Sequence, residues 1–189
     1  MTLRQLVLIA LFTALIAVLA QAAVPLPFSP VPVTGQLIAV LLAGTLLGGK
    51  GAFLAVLSYL LLGAAGAPVF SMGRGGLFIL LGPTGGYLWG FLPAAYFSGR
   101  LQESELAPGW PRTAAAMTLG LLCIYLPGMI QLSLIMGYSA VQAFLAGVAP
   151  FIPVDILKIA LAATLGIRVR KSLRQNGLLP PPHNKAGCL

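Results

Sequence analysis

Between residues 3 and 167 the chain is apolar almost throughout, and short loops divide it into six segments at about residues 3–22, 34–47, 52–65, 83–97, 113–136 and 140–167. Hydrophobic residues make up 59% and charged residues 7%, whereas a soluble domain carries about 25% charged residues. A water-soluble fold of 189 residues could not cover its surface with so few charges. The pattern predicts an all-α integral membrane protein with six transmembrane helices, since about 20 helical residues cross the hydrocarbon core. The second, third and fourth segments are shorter than that; Gly and Ala at their ends extend them, and a bilayer thins around a compact bundle. The last is broken at Pro150 and Pro153.

The basic residues orient this bundle. With a cytoplasmic N-terminus, the inner side carries Arg4, Lys50, Arg100, Arg112, Arg168, Arg170, Lys171, Arg174 and Lys185. Of the 11 basic residues, that leaves Arg74 in an outer loop and Lys158 inside the last helix. This asymmetry follows the positive-inside rule, and an even number of spans puts both termini in the cytoplasm. The net charge of +8 therefore reads as topology, with a minor role in gripping anionic lipid, and not as a nucleic-acid surface. Residues 1–176 form the transmembrane domain on this reading. Residues 177–189, with Pro180-Pro181-Pro182 and the lone His183, form a flexible cytoplasmic tail with no metal or catalytic role.

Arg4, the first apolar run and Ala20-Gln21-Ala22 together resemble a secretion signal. Cleavage would leave five spans and carry the basic C-terminal cluster outside, so the helix is expected to be retained. Cys123, in a span, and Cys188, in the tail, lie too far apart to bridge.

Chemistry concentrates in Pro150-Phe151-Ile152-Pro153-Val154-Asp155-Ile156-Leu157-Lys158. Asp155 is the only acid outside the Glu103/Glu105 loop, and it follows Pro153 at the start of a half-helix, where the helix dipole favours an anion. Lys158 lies three residues on, on the same face. Each charge at mid-bilayer costs about 2.5–3.5 kcal/mol on insertion scales, so the default reading is a binding or transport site. The bland alternative is a staple in which the two charges only neutralise each other.

Two outer loops add to it. In Pro25-Leu26-Pro27-Phe28-Ser29-Pro30-Val31-Pro32-Val33-Thr34-Gly35-Gln36 the prolines favour a stiff extended strip, a lid over the bundle mouth or a rigid connector. Thr34 and Gln36 at its end are caps or ligand contacts. The stretch from Gly66 to Phe78 is too apolar for a free loop and too rich in glycine for a helix, so it is expected to fold back around a cavity. Arg74 at its tip suits a substrate carboxylate, or else pairs with Asp155 or lipid phosphate. Neither Gly82-Pro83-Thr84-Gly85-Gly86-Tyr87 nor Gly48-Gly49-Lys50-Gly51 ends as a nucleotide loop must, so active transport by this chain requires a partner ATPase. Ala10 and Ala14, one turn apart, allow another helix to approach closely.

Four stretches, Pro30-Val31-Pro32-Val33-Thr34-Gly35-Gln36, Gly63-Ala64-Ala65-Gly66-Ala67-Pro68-Val69-Phe70, Leu81-Gly82-Pro83-Thr84-Gly85-Gly86-Tyr87 and Phe151 to Lys158, resemble in order the BioY family, the biotin-binding S components of energy-coupling factor transporters. The resemblance implies a six-helix S-component bundle with biotin near the outer face, lidded by the loops after the first and third helices. It implies no cofactor. As partners it implies a transmembrane coupling protein and two cytoplasmic ATPases, docking on the Ala10/Ala14 face. It puts Asp155 and Lys158 at the ligand and Arg74 at a less uniform position. On this reading Asp155 accepts the ureido N–H groups, Arg74 or Lys158 takes the valerate carboxylate, and Phe28, Phe70, Phe78 and Tyr87 are available as apolar walls.

Two other classes are weighed against this one. An intramembrane protease needs a Ser/His or Asp/Asp pair, and the spans hold one Asp and no His. A self-sufficient facilitator of biotin or another small carboxylate needs no ATPase, and uptake that stops when the ATPases are removed would separate it from an S component. No enzyme is implied.

Overall fold

The computed structural model describes residues 1–103 and 109–176; Glu105 and the tail residues His183, Lys185 and Cys188 lie outside the described residues. The elements in order are α1 (Leu3–Gln21), β1 (Ala23–Leu26), β2 (Ser29–Thr34), α2 (Gln36–Ala64), α3 (Leu77–Leu81), α4 (Gly85–Glu103), α5 (Trp110–Met136), α6 (Ala140–Gly147) and α7 (Ile152–Gln175). Among the described residues three helices, α1, α2 and α5, are long and apolar enough to cross a membrane, or four if α6 and α7, bent by 51°, count as one span.

α2 doubles back on itself. A straight helix would separate residues 36 and 59 by roughly 34 Å, yet the Gln36 side chain hydrogen-bonds the Tyr59 hydroxyl. The reversal is at Gly48, whose φ of 74° and ψ of 177° belong to glycine alone. The limbs 36–47 and 49–64 are therefore antiparallel neighbours. Glu103 at the end of α4 fixes the turn, accepting the Gly49 N–H at 2.7 Å. Arg100 pairs with the same carboxylate, Arg112 donates to the Leu101 carbonyl and Arg170 to the Gln102 carbonyl, so much of the basic charge gathers at this one end of the bundle.

α4 is the central helix, packed mainly on α5 and on both limbs of α2. Its small residues permit this: a Cβ at Gly90 would fall 2.7 Å from Ile124 Cα, and one at Gly99 2.6 Å from Gly49 N. α1 contributes Ile9, Phe12, Thr13, Ile16 and Ala20 to the core, and the Thr13 hydroxyl reaches the Ala55 carbonyl at 3.0 Å. The break between α6 and α7 spans Pro150, while Pro153 lies in the first turn of α7, where a missing N–H costs no helical bond.

The proline-rich strip is extended, as its composition predicts, but it is a hairpin. β1 and β2 pair antiparallel, with Ala23 opposite Thr34 and Leu26 opposite Ser29. The Ser29 hydroxyl donates to the Ala146 carbonyl at 2.6 Å and so ties the hairpin to α6. The glycine-rich loop after α2 is knotted onto α1: Gln21 donates to the Phe70 carbonyl and accepts from the Gly73 N–H. Gln131 of α5 satisfies the Leu80 and Gly82 carbonyls at the end of α3, where the helix is interrupted.

Candidate ligand-binding site

The first turn of α7 is closed by the Asp155 N–H bonding to the Phe151 carbonyl at 2.8 Å. One turn on, Lys158 Nζ donates to Asp155 Oδ1 at 2.8 Å, and Tyr125 Oη, from α5, donates to Oδ2 at 2.7 Å. The side chains of Lys158 and Asp155 are only 12% and 7% exposed. Charge-assisted bonds of this kind hold a pair that neither charge could endure alone in an apolar interior.

These three side chains line a cavity that extends past Leu121 and Ile124 of α5, Tyr87, Leu88 and Phe91 of α4, Gly147 and Phe151, and on to Val31, Pro32, Thr34, Gln36, Leu37, Ser71, Ile79 and Thr84. Mostly apolar walls with a few placed polar groups suit a small organic ligand. Thr34 Oγ1 donates to Gln36 Oε1 at 3.1 Å. Tyr87 lines the cavity with its ring against Gly128 and its hydroxyl donating to the Gly147 carbonyl at 2.8 Å.

Of the residues singled out in the sequence, Thr34, Gln36, Tyr87, Asp155 and Lys158 are brought together around this cavity. Phe70 is instead a core residue, 1% exposed, edge-on to Tyr59 with ring centroids 5.5 Å apart. Phe28, at the hairpin tip, and Phe78, on α3, are 65% and 69% exposed. Arg74 is exposed outside the cavity lining, its guanidinium 3.9 Å from the Met72 sulfur. Ala10 and Ala14 lie on the exposed face of α1, beside Val7, Leu11 and Val18. Tyr125, Ser71 and Thr84 join the cavity without having been anticipated. For Tyr125 the one signal was a phenol inside an apolar span, which needs a buried partner. Among the described residues no group of His, Cys, Asp and Glu could hold a metal ion.

Residues 1–175 match the family model described as the BioY family. The chain belongs to the BioY family. A curated BioY relative from Thermotoga maritima, named a biotin transporter, is 40% identical over 89% of this chain and 96% of its own length. The probable biotin transporter BioY of Pyrococcus horikoshii is 42% identical over 88% of this chain and 96% of its own. The crystal structure of the S component for biotin from an ECF-type ABC transporter superposes with a TM-score of 0.84 at 29% identity, covering 90% of this chain and 95% of that one. This BioY chain is accordingly a multi-pass membrane protein.

Proposed function

We propose that this chain binds biotin in the cavity beside Asp155 and serves as the S component of an ECF-type transporter for biotin uptake across the cytoplasmic membrane. A transmembrane coupling protein and two cytoplasmic ATPases supply the energy. The observation that carries the reading is the buried Asp155, Lys158 and Tyr125 cluster on the wall of an otherwise apolar cavity. Two further supports are the relatives, which are named biotin transporters, and the structural neighbour, which is an S component for biotin.

The geometry refines the roles. Asp155 and Lys158 are 2.8 Å apart, so they serve one end of the ligand. A ureido ring offers an N–H and a carbonyl side by side, which complements a carboxylate beside an ammonium. Asp155 accepts the N–H and Lys158 donates to the carbonyl. The valerate carboxylate, at the far end of biotin, then lies toward Thr34, Ser71 and Thr84, with Arg74 on the loop that carries Ser71.

On this reading the six spans are α1, the two limbs of α2, α4, α5 and the bent α6 and α7 pair, with both termini cytoplasmic. Clustering of Arg100, Arg112 and Arg170 at one end supports this orientation. The exposed Ala10/Ala14 face of α1 is the docking surface for the coupling protein.

Titration of the purified protein in detergent with biotin, desthiobiotin and thiamine tests the substrate. Biotin and desthiobiotin, which share the ureido group, are expected to bind and thiamine is not. Tight thiamine binding, or none by biotin, would defeat the proposal. Loss of uptake on omitting the ATPases from proteoliposomes tests the energy source.

A further inference from the structure

Gln36 lines the cavity although only 3% of it is exposed, and both ends of its amide are held. Its Nε2 donates to Tyr59 Oη, and its Oε1 accepts from Thr34 Oγ1 at 3.1 Å. A carboxamide has two N–H donors and two acceptor lone pairs. One of each therefore remains after the two braces are made, in a plane that the braces define.

Tyr59 is fully buried on the returning limb of α2 and lies outside the cavity lining. Its ring is fixed by packing, edge-on to Phe70 at 5.5 Å. Phe70 is in turn lodged against Gly63, where a Cβ would come within 2.1 Å of the Phe70 ring. A phenylalanine would fill the same space. The hydroxyl is what a tyrosine adds here, and its hydrogen bond goes to Gln36.

We infer that Tyr59 is a positioning residue for ligand recognition: its hydroxyl, with that of Thr34, holds the Gln36 amide in one plane at the cavity wall, and Gln36 makes the ligand contact. Without the brace the amide can rotate out of that plane and carry its free donor and acceptor out of register with the ligand. A site built for a particular pattern of ligand donors and acceptors loses its match when that happens. The inference rests on the proposed biotin site.

The test is a double-mutant cycle read by biotin titration of purified protein. Tyr59→Phe is expected to weaken biotin about three- to tenfold, with the thermal midpoint of the ligand-free protein little changed. In a Gln36→Met background the same change is expected to have almost no further effect. Unchanged affinity in Tyr59→Phe, an undiminished loss in the Gln36→Met background, or a Tyr59→Phe protein that does not fold overturns the inference. A ligand-free measurement separates it from the functional reading. In glutamine-labelled protein, a Gln36 side-chain amide proton should be protected from exchange in the wild type and released in Tyr59→Phe. A Gln36 amide that exchanges freely in the wild type sinks the brace whatever biotin does. A protected amide in a protein that binds no biotin defeats the proposed function instead.

Discussion

Glu103 Oε1 accepts the backbone N–H of Gly49 at 2.7 Å while Oε2 of the same carboxylate takes Arg100 at 2.6 Å, so the end of α4 clamps the reversal of α2. Gly48→Ala places a side chain at φ 74°, 2.5 Å from Glu103 Oε1. It is expected to cost about 1–3 kcal/mol, read as a lowered unfolding midpoint in detergent. Glu103→Ala should cost a similar amount by stranding the Gly49 N–H, and Glu103→Gln, which keeps an acceptor, distinctly less. Equal losses for Gln and Ala would assign the effect to the charge on Glu103 and not to the clamp.

At the cavity, Asp155→Asn should weaken biotin about ten- to a hundredfold and also destabilise the protein, because Lys158 is left buried and unpaired. Adding Lys158→Met should restore stability but not affinity. Recovery of wild-type binding in this double mutant would reduce the pair to a staple. Tyr125→Phe, which removes a single donor to Asp155, is expected to cost about three- to tenfold.

The two ends of the ligand are separable with a carboxylate ester of biotin. Lys158→Met should weaken biotin and the ester equally, since the proposed pose puts it at the ureido end. Arg74→Met should affect only the free acid. The reverse pattern would turn the ligand around in the cavity.

Tyr87 is confined by two glycines: a Cβ at Gly128 would lie 2.4 Å from its ring, and one at Gly147 2.2 Å from its hydroxyl. Gly147→Ala and Gly128→Ala are each expected to destabilise by about 1–3 kcal/mol through overpacking. Tyr87→Phe, losing only the bond to the Gly147 carbonyl, should cost about 1 kcal/mol. If the glycine variants unfold at the wild-type midpoint, the ring has room that this geometry denies it.

On α1, replacing Ala10 and Ala14 with Trp should abolish copurification with the coupling protein and leave biotin affinity intact. Normal assembly would move the docking surface elsewhere.

Orientation is testable with single cysteines in a background lacking Cys123 and Cys188. Phe28→Cys, at the exposed hairpin tip, should react with a membrane-impermeant thiol reagent added outside intact cells, and Ser172→Cys, exposed near the end of α7, should not. Labelling of Ser172→Cys alone would invert the bundle.

What the sequence discloses here is what local spacing can encode. Asp155 and Lys158 are one helical turn apart in the chain and remain so in space. The reversal at Gly48 falls between two apolar segments that are separate in the sequence pattern as well. The partner of Asp155 is another matter: Tyr125 is 30 residues away on a different helix, and no spacing rule connects them. The aromatic residues divide for a related reason. In a membrane bundle lipid-facing and core-facing positions are both apolar, so hydrophobicity does not tell Phe70, in the core, from Phe78, on the exterior. The hairpin was legible only as extended chain, because strand pairing depends on the turn at Pro27-Phe28 and on its anchor at Ala146.

The placement of Asp155 and Lys158 on consecutive turns of a single helix also bears on biogenesis. An ion pair shared between two helices would oblige each to enter the bilayer with a bare charge and wait for its partner to arrive. This one forms as soon as α7 coils, between residues already in reach of each other. The apolar part of the last helix, up to residue 167, can leave the translocon as a net-neutral segment before the bundle has closed around it, and the ion pair on the cavity wall enters the membrane already formed, with Tyr125 of α5 still to join it.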